Sequence, residues 1–71
     1  MQRFGEKLHT LRNRRGMTIR ELAETLGFRS HGFVSDLERG RRKPSVELAI
    51  EISRLFEVTV DQLVKDELEV D

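Results

Sequence analysis

Residues 17–40 read MTIRELAETLGFRSHGFVSDLERG, two segments with a helical spacing of apolar residues on either side of a glycine. In the first segment, Thr18 is followed three residues later by a glutamate, so a hydroxyl and a carboxylate can each satisfy a backbone donor of a first helical turn. Gly27 ends this helix after about two turns. The second segment begins after Ser30, a favourable helix cap, and ends at Gly40. The pattern predicts two short helices joined by a tight turn.

The flanking segments have the same helical periodicity. Apolar residues recur at i, i+4 and i+7 near the amino terminus, which predicts a first helix up to about residue 15. A fourth helix follows the Pro44–Ser45 step and carries the widest apolar face of the chain, and a second capping box at Thr59 opens a last short helix. The sequence therefore predicts an all-α domain of five helices over residues 1–65, followed by a short acidic tail over residues 66–71.

Composition excludes several classes of protein. The chain has 71 residues and no cysteine, so it has no disulfide framework and no thiolate zinc site, which is typical of cytoplasmic proteins. No apolar stretch approaches the roughly 20 residues of a membrane-spanning helix, and the amino terminus lacks the apolar run of a secretory signal. The two histidines are His31 and His9, the latter expected to be an exposed residue of the first helix. With no clustered nucleophile or ligand set, we predict no enzyme, no metal site and no cofactor.

Charge is unevenly distributed, although the formal net charge is zero. Residues 1–43 hold 11 basic and 5 acidic side chains, a net charge of +6, whereas residues 44–71 hold 2 basic and 8 acidic ones, a net charge of −6. The basic half is suited to a polyanion, and the acidic half would be held away from it. Four cations crowd the end of the second quoted segment and the residues after it, and they repel each other unless an anion offsets them: Arg39, Arg41, Arg42 and Lys43.

These motifs identify a family. The stretch from Leu11 to Leu63 resembles the phage-repressor and Cro type of helix-turn-helix protein, the XRE-like transcriptional regulators. The elements that carry the resemblance occur in the family's order and are Leu22-Ala23, Leu26-Gly27, Leu37-Glu38-Arg39-Gly40 and Lys43-Pro44-Ser45. The resemblance implies a lambda-repressor-like fold whose third helix, residues 30–39, enters the major groove of DNA. It also implies a cytoplasmic protein encoded by a bacterium or a phage.

The resemblance further implies which residues face the bases: His31, Gly32, Ser35 and Asp36. His31 can donate to guanine N7 or O6, a serine hydroxyl can donate or accept, and a glycine offers only its backbone. Asp36 can only accept, which suits cytosine N4. An ion pair between Asp36 and an arginine such as Arg39 or Arg29 is an equal alternative.

Cations and a helix start provide candidate phosphate contacts. The first turn of the second helix presents backbone amides, and those of Thr18, Ile19 and Arg20 are expected to hold one phosphate. An extra residue in the turn before the third helix is expected to let Arg29 reach the DNA backbone. The full phosphate-binding set is Thr18, Arg20, Arg29, Arg39, Arg41, Arg42 and Lys43.

Two structural roles are also expected. At the positions of Arg12 and Glu38 the resemblance implies a partly buried ion pair that ties the first helix to the third. Phe33 is a large apolar residue at a boundary position, for which core packing is expected first and a contact to a sugar or a thymine methyl second.

The resemblance implies a sequence-specific, double-stranded DNA-binding transcriptional regulator, repressor-like, that binds as a homodimer to a near-palindromic operator. The two recognition helices would then lie about 34 Å apart. The alternative is a protein-interaction module of the same fold, such as an antitoxin or antirepressor component, that binds its partner through helix five and the tail. Apolar residues expected to be exposed are candidates for the dimer or partner surface: Val58, Val60, Val64, Leu68 and Val70.

Overall fold

Side-chain caps begin four of the five helices in the computed structural model, which describes residues 1–70. Capping boxes start the second and fifth helices, and the Ser30 and Ser45 hydroxyls accept backbone N–H groups at the third and fourth. The helices of this part of the chain are α1 (Phe4–Arg14), α2 (Ile19–Thr25), α3 (His31–Glu38), α4 (Val46–Phe56) and α5 (Val60–Val64). The predicted all-α, five-helix fold is confirmed.

The core is a single cluster of buried side chains from all five helices, and the wide apolar face of α4 contributes Leu48, Ile52 and Phe56 to it. Leu8, Leu37 and Ile52 are completely buried, and α2 and α3 both contribute to the same cluster. Burial of each such side chain stabilises the fold by about 1.5 to 3 kcal/mol. α3 packs against both α1 and α2, so the helix predicted to meet DNA rests on a rigid support. Over residues 1–70, no helix is long and apolar enough to span a membrane.

Gly5 allows α1 to pass directly against the end of α3. The residue is buried, and a Cβ atom at this position would clash with the backbone carbonyl oxygens of Leu37 and Glu38. Only glycine permits this approach of two backbones. The contact fixes the carboxyl end of α3, next to the cationic loop.

Lys7 is a buried cation, 2% exposed, that joins α1 to the end of α5. Its Nζ donates to the carbonyl oxygens of Gln62, at 2.6 Å, and Lys65, at 2.7 Å. These carbonyls lie at the carboxyl end of α5, where a helix leaves backbone acceptors without helical partners; the Lys65 carbonyl also accepts the Leu68 N–H, at 3.1 Å. The lysine therefore caps a helix that is 55 residues or more away in the sequence.

The predicted tail also forms hydrogen bonds with the residues at the start of α1. The Asp66 carboxylate accepts the backbone N–H groups of Gln2, at 3.0 Å, and Arg3, at 2.9 Å, and these hydrogen bonds lower the pKa of Asp66. The Arg3 guanidinium donates to both carboxylate oxygens of Glu69, at 2.9 Å. We refer to Arg3, Lys7, Asp66 and Glu69 as the terminal clasp. Asp71, the last residue of the predicted tail, lies outside the described residues.

The expectation of an exposed apolar surface near the carboxyl end was largely wrong. Val58, Val64 and Val70 pack against the core, and Val60 is half-buried. Leu68, at 37% exposed, is the member of this set that stays on the surface. The physical reasons are the packing of α5 against α4 and α1 and, for Val70, the terminal clasp, which folds the chain after α5 back onto α1.

Candidate nucleic-acid interface

The outward face of α3 carries the four positions predicted to meet base edges. Val34 and Leu37 are buried, which turns the opposite side of the helix toward solvent. The four positions form two adjacent pairs, and the second pair follows the first by one helical turn, so all four lie on a single face. Two of them are exposed and two half-buried, in chain order His31, Gly32, Ser35 and Asp36. The structure therefore brings the predicted base-reading residues together.

The ion pair that orients α3 is present and buried. Arg12 Nε donates to Glu38 Oε2 at 2.6 Å, and a second nitrogen of the same guanidinium donates to Oε1 at 3.1 Å. The two side chains are 10% and 6% exposed. Arg12 also donates to the carbonyl of Met17, which fixes the loop before α2. Burial alone would raise the pKa of Glu38, but hydrogen bonds from Arg12 and His9 outweigh it and hold that pKa below its ordinary value.

His9 is a third member of this network, which sequence reasoning missed. Its side chain is 55% exposed, yet Nδ1 lies 2.9 Å from Glu38 Oε1 and Nε2 lies 2.9 Å from Asn13 Nδ2. The signal that could have found it is spacing, since Arg12 and Asn13 follow His9 by three and four residues on the same helix. His9 helps to hold the carboxylate that orients the recognition helix.

The amino end of α2 offers fewer free amides than predicted. The Thr18 N–H donates to Glu21 Oε1 at 2.8 Å within the capping box, so the expectation that this amide holds a phosphate was wrong. The amides of Ile19 and Arg20, in the first turn, donate to no acceptor within residues 1–70. Ile19 also lines a shallow cleft of about 230 Å³ that Ser35 and Arg39 enter from α3.

Most of the predicted phosphate-binding cations are exposed and unpaired. Across residues 1–70, no carboxylate lies within ion-pair distance of five of them, and these are Arg20, Arg29, Arg39, Arg41 and Lys43. They surround both ends of α3 and the start of α2. Such a cluster without counter-charges favours the binding of an extended anion.

Arg42 differs from its neighbours because it turns back onto α3. Its Nε lies 3.8 Å from Asp36 Oδ2, and its guanidinium carbon lies 5.0 Å from the centre of the Phe33 ring. An arginine partner for Asp36 was one of the two predicted alternatives. The arginine beside Asp36 is Arg42, however, and not Arg39 or Arg29, which were named as examples. Phe33 packs against the core, as predicted.

Together these features define a helix-turn-helix domain: two short helices at a tight turn, a polar outward face on the second, and free cations around it. A family profile described as helix-turn-helix matches residues 8–63. The chain belongs to this family, in the phage-repressor and Cro branch that its sequence resembles. No solved structure is significantly similar to the chain.

Three curated relatives carry names of the same kind. The chain is 39% identical over 64 residues to the HTH-type transcriptional activator BcrR of Enterococcus faecalis, a match that covers 90% of this chain and 31% of the relative. It is 35% identical over 60 residues to the HTH-type transcriptional regulator DdrOP3 of Deinococcus deserti, a match that covers 84% of this chain and 46% of the relative. An uncharacterized HTH-type transcriptional regulator of Archaeoglobus fulgidus is 37% identical over 57 residues, 80% of each chain. The chain thus spans less than half the length of the first two relatives.

Proposed function

We propose that residues 1–65 bind double-stranded DNA in a sequence-specific manner and act in transcription regulation, as a repressor-like protein. The observation that carries this proposal is the pattern of free charge: within residues 1–70, five cations around α3 and the start of α2 lie near no carboxylate, whereas Arg3, Lys7 and Arg12 are held by carboxylates or carbonyl oxygens. DNA phosphates would offset this charge. The three relatives are named as transcriptional regulators or activators, which supports a role in transcription regulation.

In this proposal α3 enters the major groove, with His31 and Ser35 as base-reading side chains. His31 lies in the first turn of α3, is exposed, and can donate to guanine N7 or O6. Ser35 lies one turn later and can donate or accept. Gly32 presents only backbone, which allows the helix to approach the base edges closely. Replacement of His31 by alanine should change the preference at one base pair rather than the affinity for all sequences.

Phosphate contacts come from both sides of the recognition helix. The cleft between α2 and α3 is lined by Ile19 and Arg39, and also by Glu38, whose charge Arg12 offsets; we assign one phosphate to Arg39 and the first-turn amides of α2. The remaining contacts extend along the DNA backbone in both directions and are proposed for Thr18 through its hydroxyl, Arg20, Arg29, Arg41 and Lys43.

We further propose a homodimer on a near-palindromic site, with a second copy of the chain as the occupant of an apolar groove. The groove has a volume of about 210 Å³ and lies between the start of α4 and α5. Its rim includes Met1, 43% exposed, and Val46, 72% exposed, and its floor includes Val60 and Val64. The groove begins at Pro44, directly after the cationic loop, so a second copy seated there would lie beside the first along the same DNA.

Selection of bound duplexes from a random DNA pool, with the solution mass measured alongside, tests the proposal. Enrichment of a two-fold symmetric site by a dimer is the expected result. Enrichment of no motif, with only salt-sensitive background binding, would reject it in favour of a protein-interaction module. Val46→Asp tests the groove separately: because Val46 is exposed, the variant should keep its fold and half-site preference but lose the dimer. An unchanged dimer in this variant would contradict the groove as its interface.

A further inference from the structure

Arg42 is held against the recognition helix by several independent contacts. Its guanidinium lies over the Phe33 ring and beside the Asp36 carboxylate, and the Phe33 ring packs on Phe28 with ring centres 4.6 Å apart. The loop backbone is fixed at the same point, because the amides of Arg41 and Arg42 both donate to the Asp36 carbonyl, at 2.9 and 3.4 Å. Contacts within the fold thus hold this side chain in place, and none of its side-chain contacts is shared by Arg39, Arg41 or Lys43 within residues 1–70.

The contacts place Arg42 next to the base-facing side of α3. Phe33 and Asp36 are three residues apart and therefore neighbours along the helix surface. One turn before Asp36 stands Gly32, where a Cβ atom would meet only the Ser30 hydroxyl, at 3.3 Å. On the side of α3 next to Arg42, the base-facing residues Gly32 and Asp36 therefore have short side chains or none. A long side chain that comes from the following loop has room to extend beside them.

Within residues 1–70 the Arg42 guanidinium donates no hydrogen bond in this position. Arg42 is 58% exposed, and its separation of 3.8 Å from Asp36 is longer than a hydrogen bond. The planar fork of an arginine matches the O6 and N7 acceptors of guanine, the commonest specific contact in the major groove. A carboxylate at position 36 without a cation beside it would instead face a polyanion and oppose binding.

We propose that Arg42 reads a guanine in the major groove and that Asp36 and Phe33 are the residues that position it. This inference rests on the proposed DNA binding and reassigns two residues within it. Arg42 moves from the phosphate-binding set to the base-reading set, and Asp36 acts through Arg42 rather than by accepting a hydrogen bond from cytosine. Each half-site then contains a guanine that is read from the loop after α3.

The test uses the full chain and two duplexes: the site that the wild-type protein selects, and the same site with the proposed G·C pair replaced by A·T. The wild-type protein should prefer the first by about tenfold or more. Arg42→Ala should reduce this ratio to near one. Arg42→Lys should keep the salt dependence but lose most of the ratio, because lysine has no bidentate fork. Arg41→Ala is the matched control and should bind both duplexes less well at an unchanged ratio.

Asp36→Asn separates positioning from direct reading. In the wild-type background it should lower the same ratio as Arg42→Ala while it raises binding to unrelated DNA, since a negative charge is lost. In the Arg42→Ala background it should cause no further change in the ratio, because Asp36 acts through the missing arginine. A direct contact of Asp36 to cytosine predicts the opposite, a loss of preference that persists without Arg42.

Two outcomes overturn the inference while the proposed function stands. In one, Arg42→Ala selects the wild-type motif and loses affinity equally on every duplex, which makes Arg42 a phosphate contact. In the other, Asp36→Asn changes the preference at a different base pair from Arg42→Ala. If the wild-type protein itself selects no motif, the proposed function fails, and the inference fails with it.

Discussion

Two groups of cations in the same half of the sequence have opposite surroundings. Arg3, Lys7 and Arg12 on and before α1 are each held by carboxylates or carbonyl oxygens, two of them in buried positions. The cations around α2, α3 and the following loop are exposed, and most lack any ion pair within residues 1–70. The charge of a residue is therefore a poor guide to its role. The partner that the fold supplies decides whether a cation stabilises the domain or remains available to an external anion.

The difference in net charge between the two halves of the sequence overstates the charge that is free on the surface. The net charge of +6 in residues 1–43 includes Arg3, which Glu69 from the acidic half neutralises, and Asp66 of that half accepts backbone N–H groups at the start of α1. The terminal clasp thus joins the two halves at one end of the molecule. The positive charge that remains free is concentrated beside α3.

Removal of Glu38 should cause the largest effect on stability. Glu38→Ala would leave the buried Arg12 guanidinium without its carboxylate, and we expect a loss of about 3 to 5 kcal/mol in the free energy of unfolding. Urea denaturation followed by circular dichroism measures this loss. The control is Glu24→Ala, at an exposed position of α2, which should change the stability by less than about 0.5 kcal/mol.

A double variant keeps this prediction testable if the single variant does not fold. Replacement of both partners by apolar residues, Arg12→Met with Glu38→Leu, removes the stranded charge and should recover a large part of the lost stability. A double variant as unstable as Glu38→Ala would show that the ion pair is not the cause of the loss.

Lys7→Met should have the next largest effect, again on stability alone. Methionine can occupy the buried stem of the lysine but leaves the Gln62 carbonyl without its donor and the Lys65 carbonyl with only the Leu68 N–H, and we expect a loss of about 1 to 3 kcal/mol. Under conditions where the variant is folded, its DNA affinity and salt dependence should equal those of the wild type. A reduced slope of log affinity against log salt in this variant would place Lys7 among the DNA contacts. The cations held within the fold and the exposed cations around α3 would then not have separate roles.

Arg39→Ala should show the reverse pattern. Its stability should stay within about 0.5 kcal/mol of the wild type, because the side chain is exposed and unpaired. Its DNA affinity should fall severalfold, and the slope of log affinity against log salt should decrease by about 0.9, as for one lost phosphate contact. Arg54→Ala, an exposed arginine of α4 outside the interface, is the matched control and should leave the slope unchanged. Equal slopes for both variants would contradict the phosphate assignment of Arg39.

Local signals in the sequence were sufficient for the helices and for the face that α3 presents. A capping box needs only the residues from Thr18 to Glu21, and a helix stop needs only a glycine such as Gly27 or Gly40, both of which adopt positive φ angles. The burial of Val34 and Leu37 follows from their spacing. These features depend on residues within one or two turns, so they can be found without knowledge of the fold.

Apart from those of His9 with Arg12 and Asn13, the contacts that the sequence did not indicate join distant residues or depend on a loop conformation. Lys7 meets Gln62 and Asp66 meets Arg3 across more than 50 residues, and nothing in either segment alone marks them as partners. Gly5 reads as a weak helix position until the path of α3 beside it is known. Within the site, the same limit applies to Arg42, because its place beside Asp36 depends on the conformation of the loop that connects them.

The smallest predicted effect concerns acid and the terminal clasp. Two backbone N–H groups of the α1 end hold the pKa of Asp66 below its ordinary value of 3.8. The folded protein therefore binds this proton less readily than the unfolded chain, so the stabilisation is fully present above about pH 5 and is lost as the pH falls below 3.8 and through the lower pKa of the folded state. Asp66→Asn should be less stable than the wild type at pH 6, and the difference should shrink toward pH 3. Urea denaturation across this pH range measures it, with Glu67→Gln, at a neighbouring exposed position, as the control. A difference that is the same at pH 6 and pH 3 would mean that the Asp66 carboxylate caps α1 without any contribution from its charge.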